Sequence, residues 1–328
     1  MPIFSFSRRS VLSFAAAAAV TGSVAAQAQT KPTEIRIDYA TYNPVGLLLK
    51  DRGLLEKEFA KDGIAIRWVQ SLGSNKALEF LNAGSLDFGS TAGAAALIGR
   101  INGNPIKSVY VYSRPEWTAL VTKSDAIKTV ADLKGKRVAV TRGTDPHIFL
   151  ARALQDAKLT EKDVKLVLLQ HPDGKIALER GDVDAWAGLD PLTAAAEAEF
   201  GARLFFRKPE WNTWGVLNVS EDFAKKYPDI VTRVLKTYED ARKQAVAEPA
   251  ALKASLVTAT KLPDAVIDRQ IARTDITSGT IGSTQAETIL AAGLALQTAG
   301  VIKPETDVKA AVDALIEPRF AQTKSASK

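Results

Sequence analysis

The stretch from Gly73 to Gly93, Gly-Ser-Asn-Lys-Ala-Leu-Glu-Phe-Leu-Asn-Ala-Gly-Ser-Leu-Asp-Phe-Gly-Ser-Thr-Ala-Gly, constrains this chain more than any other. Ser74 or Asn75 can cap a helix whose apolar residues Ala77, Leu78 and Leu81 recur at helical spacing. Gly84 suits the left-handed position just past a helix end. Leu86-Asp87-Phe88-Gly89 then reads as a short buried strand, and Ser90-Thr91-Ala92-Gly93 opens a second helix, Ala94 to Arg100. So tight a helix–turn–strand–helix unit commits the chain to layered α/β architecture. It also brings two helix N-termini to one strand, and such termini can hold an anionic or strongly polar molecule through backbone N–H groups. Ordinary punctuation between strand and helix uses the same residues, so this stretch leaves both readings open.

The flanking sequence continues the alternation. Glu34 to Tyr39 is the first strand, Ala40 to Asn43 a loop, and Pro44 opens a helix carrying Leu47, Leu48, Leu49 and Leu54. Ile64 to Val69 and Ser108 to Tyr112 are further strands, which makes the first part a βαβαβαβ run with a mostly parallel sheet. Ligands of such sheets sit beyond the carboxyl ends of the strands, where Tyr42, Ser74, Asn75, Thr91 to Gly93 and Arg114 gather. A second unit begins at Thr118 to Thr122. Its strands are Val138 to Val140, Val167 to Leu169, Val183 to Ala187 and Ala202 to Phe206. Asp145-Pro146 and Asp190-Pro191 each read as an N-cap followed by proline. Lys76-Ala77-Leu78 through Gly84-Ser85-Leu86-Asp87 is echoed by Lys175-Ile176-Ala177 through Gly181-Asp182-Val183-Asp184, which supports two related lobes. From Tyr227 the pattern is helical, with Ile230, Val231, Val234, Leu235 and Tyr238 on one face and Pro249, Pro263 and Pro304 marking starts.

The N-terminus is a different kind of segment. Ser7-Arg8-Arg9-Ser10 precedes an apolar run from Val11 to Val20, which ends in Ala26-Gln27-Ala28. That pattern reads as a cleaved twin-arginine export signal over residues 1–28, with a general-secretion signal as the alternative. The mature chain then starts near Gln29 and works outside the cytoplasm. No later stretch approaches eighteen uninterrupted apolar residues, so a soluble mature protein is expected. The chain has no cysteine, which excludes disulfides, thiolate chemistry and a lipid-anchored lipoprotein. Loss of the signal leaves 41 basic against 37 acidic residues, a formal charge of about +4, scattered without the basic blocks that nucleic acid requires.

Catalytic constellations are missing. The two histidines, His147 and His171, belong to no HExxH, and neither a Gly-x-Ser-x-Gly nor a Walker loop occurs. His147 falls in a helix first turn, and His171 lies before Pro172 where a strand gives way to a loop near a cleft. No cofactor and no metal are expected. Trp186 reads as core, whereas Trp117 and Trp214 fall where the chain crosses between lobes and can either wall a cleft or pack at the hinge. Arg114 and Arg142 follow strands and suit either an anion or the surface.

The motifs together carry a family likeness. Gly-Ser-Asn-Lys before a helix, Leu-Asn-Ala-Gly-Ser-Leu-Asp-Phe-Gly, Val-Ala-Asp-Leu-Lys-Gly-Lys-Arg-Val-Ala-Val and Gly-Asp-Val-Asp-Ala-Trp-Ala-Gly-Leu-Asp-Pro resemble the substrate-binding proteins of ABC importers, most of all the aliphatic sulfonate, taurine and nitrate group. The likeness spans nearly all of residues 33–317. It implies the two-lobed periplasmic binding protein fold (type II), an α/β fold whose ligand cleft lies between lobes joined by two crossings. The implied division is 33–115 for the first part of lobe 1, 116–220 for lobe 2, 221–320 for the return to lobe 1 and 321–328 for a tail. The implied activity is non-catalytic delivery of a small anionic or polar organic ligand, foremost an aliphatic sulfonate, to ABC permease subunits by a monomeric periplasmic receptor. Nitrate, a pyrimidine vitamin precursor or an aromatic carboxylate are the alternative ligands, and a periplasmic enzyme on the same fold is the alternative class.

Carried over by position, the ligand contacts are Tyr42, Asn43, Gly73, Ser74, Asn75, Thr91, Ala92, Gly93, Thr144, Asp145 and Asp190, to which Arg114 and Trp214 are added from their own placement. Two positions depart from the family pattern. Thr91-Ala92-Gly93 stands where Thr-Gly-Asp is common, which removes a partner for an amine. Thr144-Asp145-Pro146 brings a carboxylate that repels a sulfonate if it points inward and is harmless if it caps its own helix.

Overall fold

The computed structural model describes residues 31–320, so the export segment 1–28 and the tail 321–328 lie outside the described residues. The chain opens with β1 (Glu34–Tyr39), α1 (Pro44–Asp51), α2 (Leu54–Phe59), β2 (Ala65–Gln70), α3 (Ser74–Asn82), β3 (Phe88–Ala92), α4 (Gly93–Ile101) and β4 (Ile106–Pro115). A second set follows as β5 (Thr118–Thr122), β6 (Arg137–Val140), α5 (Asp145–Asp156), β7 (Lys165–Leu168), α6 (His171–Arg180), β8 (Ala185–Leu189), α7 (Leu192–Phe200) and β9 (Arg203–Phe206). The remainder is β10 (Gly215–Ser220), α8 (Glu221–Lys226), α9 (Pro228–Ala247), α10 (Pro249–Thr260), α11 (Asp264–Ala272), the short β11 (Thr274–Asp275), α12 (Ser283–Thr298) and α13 (Val308–Leu315). Among the described residues no helix is long and apolar enough to cross a membrane.

Two sheets result, one per lobe. The larger runs β11-β4-β10-β3-β1-β2 and the smaller β7-β6-β8-β5-β9. β1 is parallel to β2 and β3, and β6 is parallel to β7 and β8. β4 keeps the direction of β1 to β3, but the expected run of parallel strands is interrupted between β3 and β4. Strand β10 returns from the smaller sheet and inserts antiparallel between β3 and β4. The expected division at residue 220 moves for the same reason, because Gly215–Ser220 already pairs within the larger sheet. The crossings between sheets are therefore Glu116-Trp117 and the segment 207–214.

The sequence echo is a structural repeat. Gly84 and Gly181 both take positive φ, 65° and 80°, just beyond α3 and α6. In each lobe an arginine at an equivalent strand position locks that turn. The Arg36 backbone N–H and Nε donate to Asp87 Oδ2 at 2.7 and 3.1 Å, and Nη1 donates to the Gly84 carbonyl. Arg137 repeats the pattern on Asp184 at 2.8 and 3.2 Å and on the Gly181 carbonyl. The α9 face predicted from Ile230, Val231, Val234, Leu235 and Tyr238 is buried against the larger sheet. Trp186 is fully buried in the smaller lobe.

Several local boundaries differ from expectation. Gly73, not Ser74 or Asn75, holds the N-cap position of α3, because the Ser74 hydroxyl turns to accept from the Ala92 N–H at 3.0 Å. Ser90 and Thr91 belong to β3, which runs on to Ala92 before α4 starts at Gly93. Pro304 begins no helix; Asp307 caps α13 by accepting from Ala310 N–H at 2.9 Å. His171 is the first residue of α6 rather than part of a strand-to-loop passage.

Candidate functional site

The two lobes meet over a cavity of about 10 Å³, room for one water-sized molecule. The larger lobe contributes Tyr42, Ser74 and Ala92. The smaller lobe contributes Thr144, Asp145, Pro146, His171 and Leu189, with Trp117 from the crossing. The first turns of α3, α5 and α6 all end here, so helix-terminal N–H groups and their partial positive charge converge on the cavity from both lobes.

His171 is the least satisfied group in the site. It is fully buried, and neither ring nitrogen has a hydrogen-bond partner. Burial lowers its pKa to about 3, so the imidazole is neutral at physiological pH and carries one N–H in need of an acceptor. Across the seam, Asn75 Nδ2 donates to Gln170 Oε1 at 3.5 Å while Asn75 Oδ1 is buried without a partner. A Cβ built on Gly73 would lie 3.2 Å from His171 Nε2 and 2.8 Å from Asn75 Oδ1, so this glycine allows the lobes to close on each other.

Asp145 stands on the cavity wall. Thr144 is the N-cap and Asp145 the first helical residue, so it does not cap its own helix. Its carboxylate instead accepts from Trp117 Nε1 at 2.9 Å, from Thr213 N–H at 3.2 Å and from Thr213 Oγ1 at 3.0 Å. It thereby ties α5 to both crossings. Burial raises its pKa, opposed by those three donors. Trp117 stands edge-on to Tyr42 with ring centroids 5.8 Å apart and walls the cavity. The Thr144 hydroxyl donates to the Thr141 carbonyl at 2.7 Å.

Beneath the cavity floor lies a polar network around Asp38. Its carboxylate accepts from Ser71 Oγ at 2.5 Å and from the Ser90 N–H and hydroxyl at 2.8 and 2.9 Å. The Tyr42 hydroxyl donates to the Ser90 carbonyl at 3.1 Å and lies 3.3 Å from Ser71 Oγ. Burial pushes the Asp38 pKa up to about 7 despite these donors. Among the described residues no group of His, Cys, Asp and Glu is arranged to hold a metal.

The remaining expected contacts sit elsewhere. Asn43 is fully buried in the Asp38 network, capping α1 through Gly46 N–H at 2.9 Å and donating to Ser90 Oγ at 2.8 Å. The Thr91 hydroxyl points away from the cavity and accepts from Asn218 Nδ2 at 2.8 Å. Gly93 donates its N–H to the Trp214 carbonyl at 2.8 Å. Trp214 itself packs under the exposed Arg114 guanidinium, 5.1 Å from ring centroid, outside the cavity. Pro191, not Asp190, is the N-cap of α7; Asp190 accepts from the Ala194 N–H in its first turn at 3.0 Å and pairs with Arg273 at 3.3 Å, which also holds Glu197 at 2.7 Å. Pro146 and Leu189 are cavity residues that the sequence did not single out, and His171, expected near a cleft, was not among the expected contacts. The signal for His171 was present: His171-Pro172-Asp173 repeats the polar residue–proline helix start of Asp145-Pro146-His147.

A protein of Escherichia coli (strain K12), named as a candidate aliphatic sulfonates-binding protein, is 33% identical over 239 residues, 71% of this chain and 74% of its own length. The solved structure of the alkanesulfonate-binding protein SsuA from Xanthomonas axonopodis pv. citri bound to MOPS superimposes with TM-score 0.78 at 28% identity, covering 88% of this chain and 99% of that one. The desulfurization enzyme DSZB shares the fold at TM-score 0.63 and 14% identity, covering 88% and 97%. The NMT1/THI5-like family model matches residues 57–252, more than half of the sequence, and the chain belongs to that family.

Proposed function

We propose that this chain is an exported, monomeric solute receptor that closes its two lobes on a small organic anion, foremost an aliphatic sulfonate, and delivers it to an ABC permease in the periplasm. The observation that carries the reading is the buried, neutral His171 with both ring nitrogens unpaired, set among three helix N-termini from two lobes. An anionic oxygen placed there accepts from the His171 N–H and from first-turn backbone N–H groups without a fixed cation. The names of the sulfonate-binding relatives support the same chemistry. The lobe division follows the sheets: 33–115 with 215–320 on one side, 116–214 on the other. Export would use the segment 1–28 with Arg8 and Arg9.

Among the described residues, the cavity-lining groups include no nucleophile hydrogen-bonded to a base, which favours a receptor over an enzyme on this fold. The chain has no cysteine, and His171 makes no hydrogen bond to Ser74 or to a carboxylate that could orient it as a base. The test is calorimetric titration of the mature protein with propanesulfonate, beside a His171→Leu variant. A hydrogen bond to a charged group is worth about 1.5–3 kcal/mol, so the variant should bind about 10- to 150-fold more weakly. Equal affinity of the two proteins would move the ligand away from His171 and overturn the assignment.

A further inference from the structure

We propose that this cavity selects its ligand by charge, taking a singly charged head group and refusing the doubly charged form of the same shape. The inference rests on the anion reading above and goes on to say which anions qualify. None of the cavity-lining residues is a lysine or arginine, and the one acid among them, Asp145, stands on the wall. The attraction therefore comes from helix termini, each equivalent to about half a positive charge. The α5 terminus is already compensated, because Asp145 is its first residue. That leaves α3 and α6, together about one charge, to balance whatever enters.

A second negative charge would have no partner and would face two carboxylates. Asp145 lies on the wall itself. Asp38 lies behind Tyr42, reached through Ser71 Oγ, which donates to Asp38 at 2.5 Å and lies 3.3 Å from the Tyr42 hydroxyl. The other groups facing the cavity are neutral His171 and the Tyr42 phenol. Arg152 is the cation nearest to Asp145 in effect, but it stacks on the Trp211 ring at 4.3 Å and does not line the cavity. The Asp145 carboxylate also leaves room for a donor. Its Oδ1 accepts one hydrogen bond, from Thr213 Oγ1, so a singly protonated phosphonate could donate its P–OH there, whereas the dianion has no proton to offer.

Alkylphosphonates are thus expected to bind as monoanions only, alongside sulfonates. Propanesulfonate and propylphosphonate share a tail and differ in the second ionisation, so the pair isolates the head group. Their affinities for the mature protein are measured calorimetrically from about pH 5.5 to pH 9. Titration of the protein's own groups, Asp38 included, acts on both ligands and cancels to first order in the ratio. The expected ratio is flat below the second ionisation of the phosphonate and rises about tenfold per pH unit above it in favour of the sulfonate. Asp145→Asn should narrow the gap at pH 9 by tenfold or more. If that variant does not fold, the wild-type ratio decides alone. A ratio independent of pH while propanesulfonate still binds overturns charge selection and leaves the anion site standing. Failure of both compounds to bind overturns the anion reading itself.

Discussion

Replacing Gly73 by alanine tests whether the two lobes must come together at the His171 seam. The backbone permits the change, because Gly73 has φ 174°, an extended conformation open to any residue. The obstacle is purely steric. The new methyl would stand 2.8 Å from Asn75 Oδ1 and 3.2 Å from His171 Cδ2 and Nε2. The Asn75 amide can swing aside, but His171 is fully buried and must yield by a few tenths of an ångström. Overpacking of this kind costs about 1–3 kcal/mol. Gly73 and His171 belong to different lobes, so the cost falls on the closed arrangement and not on the folding of either lobe. Ligand affinity should drop by about 5- to 150-fold, the same free energy expressed as a dissociation constant. Titration calorimetry reads the affinity, small-angle scattering the compaction on adding propanesulfonate, and urea melting of the ligand-free protein the fold. The reasoning fails if Gly73→Ala binds and compacts like the wild type. It fails equally if the loss appears as lowered stability of the free protein.

Two further outcomes follow from the charged groups. The Asp38 pKa is raised by burial to about 7, so the folded state holds a proton that the unfolded chain releases near pH 4. Stability from this group is therefore fully present below about pH 4 and is lost as the pH rises to about 7, on the order of 4 kcal/mol in all. The difference in urea stability between wild type and Asp38→Asn should shift toward the variant across that window, and a pH-independent difference would contradict it. The paired arginines should behave unequally. Arg36→Met strands Asp87, whose side chain is 4% exposed, at a cost of about 3 kcal/mol. Arg137→Met leaves Asp184, 31% exposed, in contact with water and should cost clearly less, so equal losses in urea melts would refute the burial argument.

Much of the fold was legible because its signals are local. β1 and β5 coincide with the expected Glu34–Tyr39 and Thr118–Thr122, α1 begins at Pro44, and Gly84 takes the left-handed turn that only its lack of a Cβ makes cheap. The echo between Gly84-Asp87 and Gly181-Asp184 was visible as text. The arginine locks beneath it were not, since Arg36 and Asp87 are far apart in the chain and meet only when β1 and β3 pair. Tyr42, Ser74 and Ala92 were legible as loop residues at one sheet edge; they line the cavity together with Thr144 and Asp145 of the other lobe, which the family likeness had added.

Alternation of hydrophobic segments, glycine and proline punctuation and the arginine-led N-terminus belong to the sequence by itself, because each depends on a few consecutive residues. Where a polar side chain points depends on which distant group offers the better hydrogen bond. Thr91 turns to Asn218, Asp190 to Arg273, and Asp145 to Trp117 and Thr213, each choice made by a strand or helix that arrives from elsewhere in the chain. The insertion of β10 between β3 and β4 and the burial of an unpaired His171 are likewise properties of the assembled lobes. A buried polar group must be satisfied by whatever surrounds it, and only tertiary packing decides what that is.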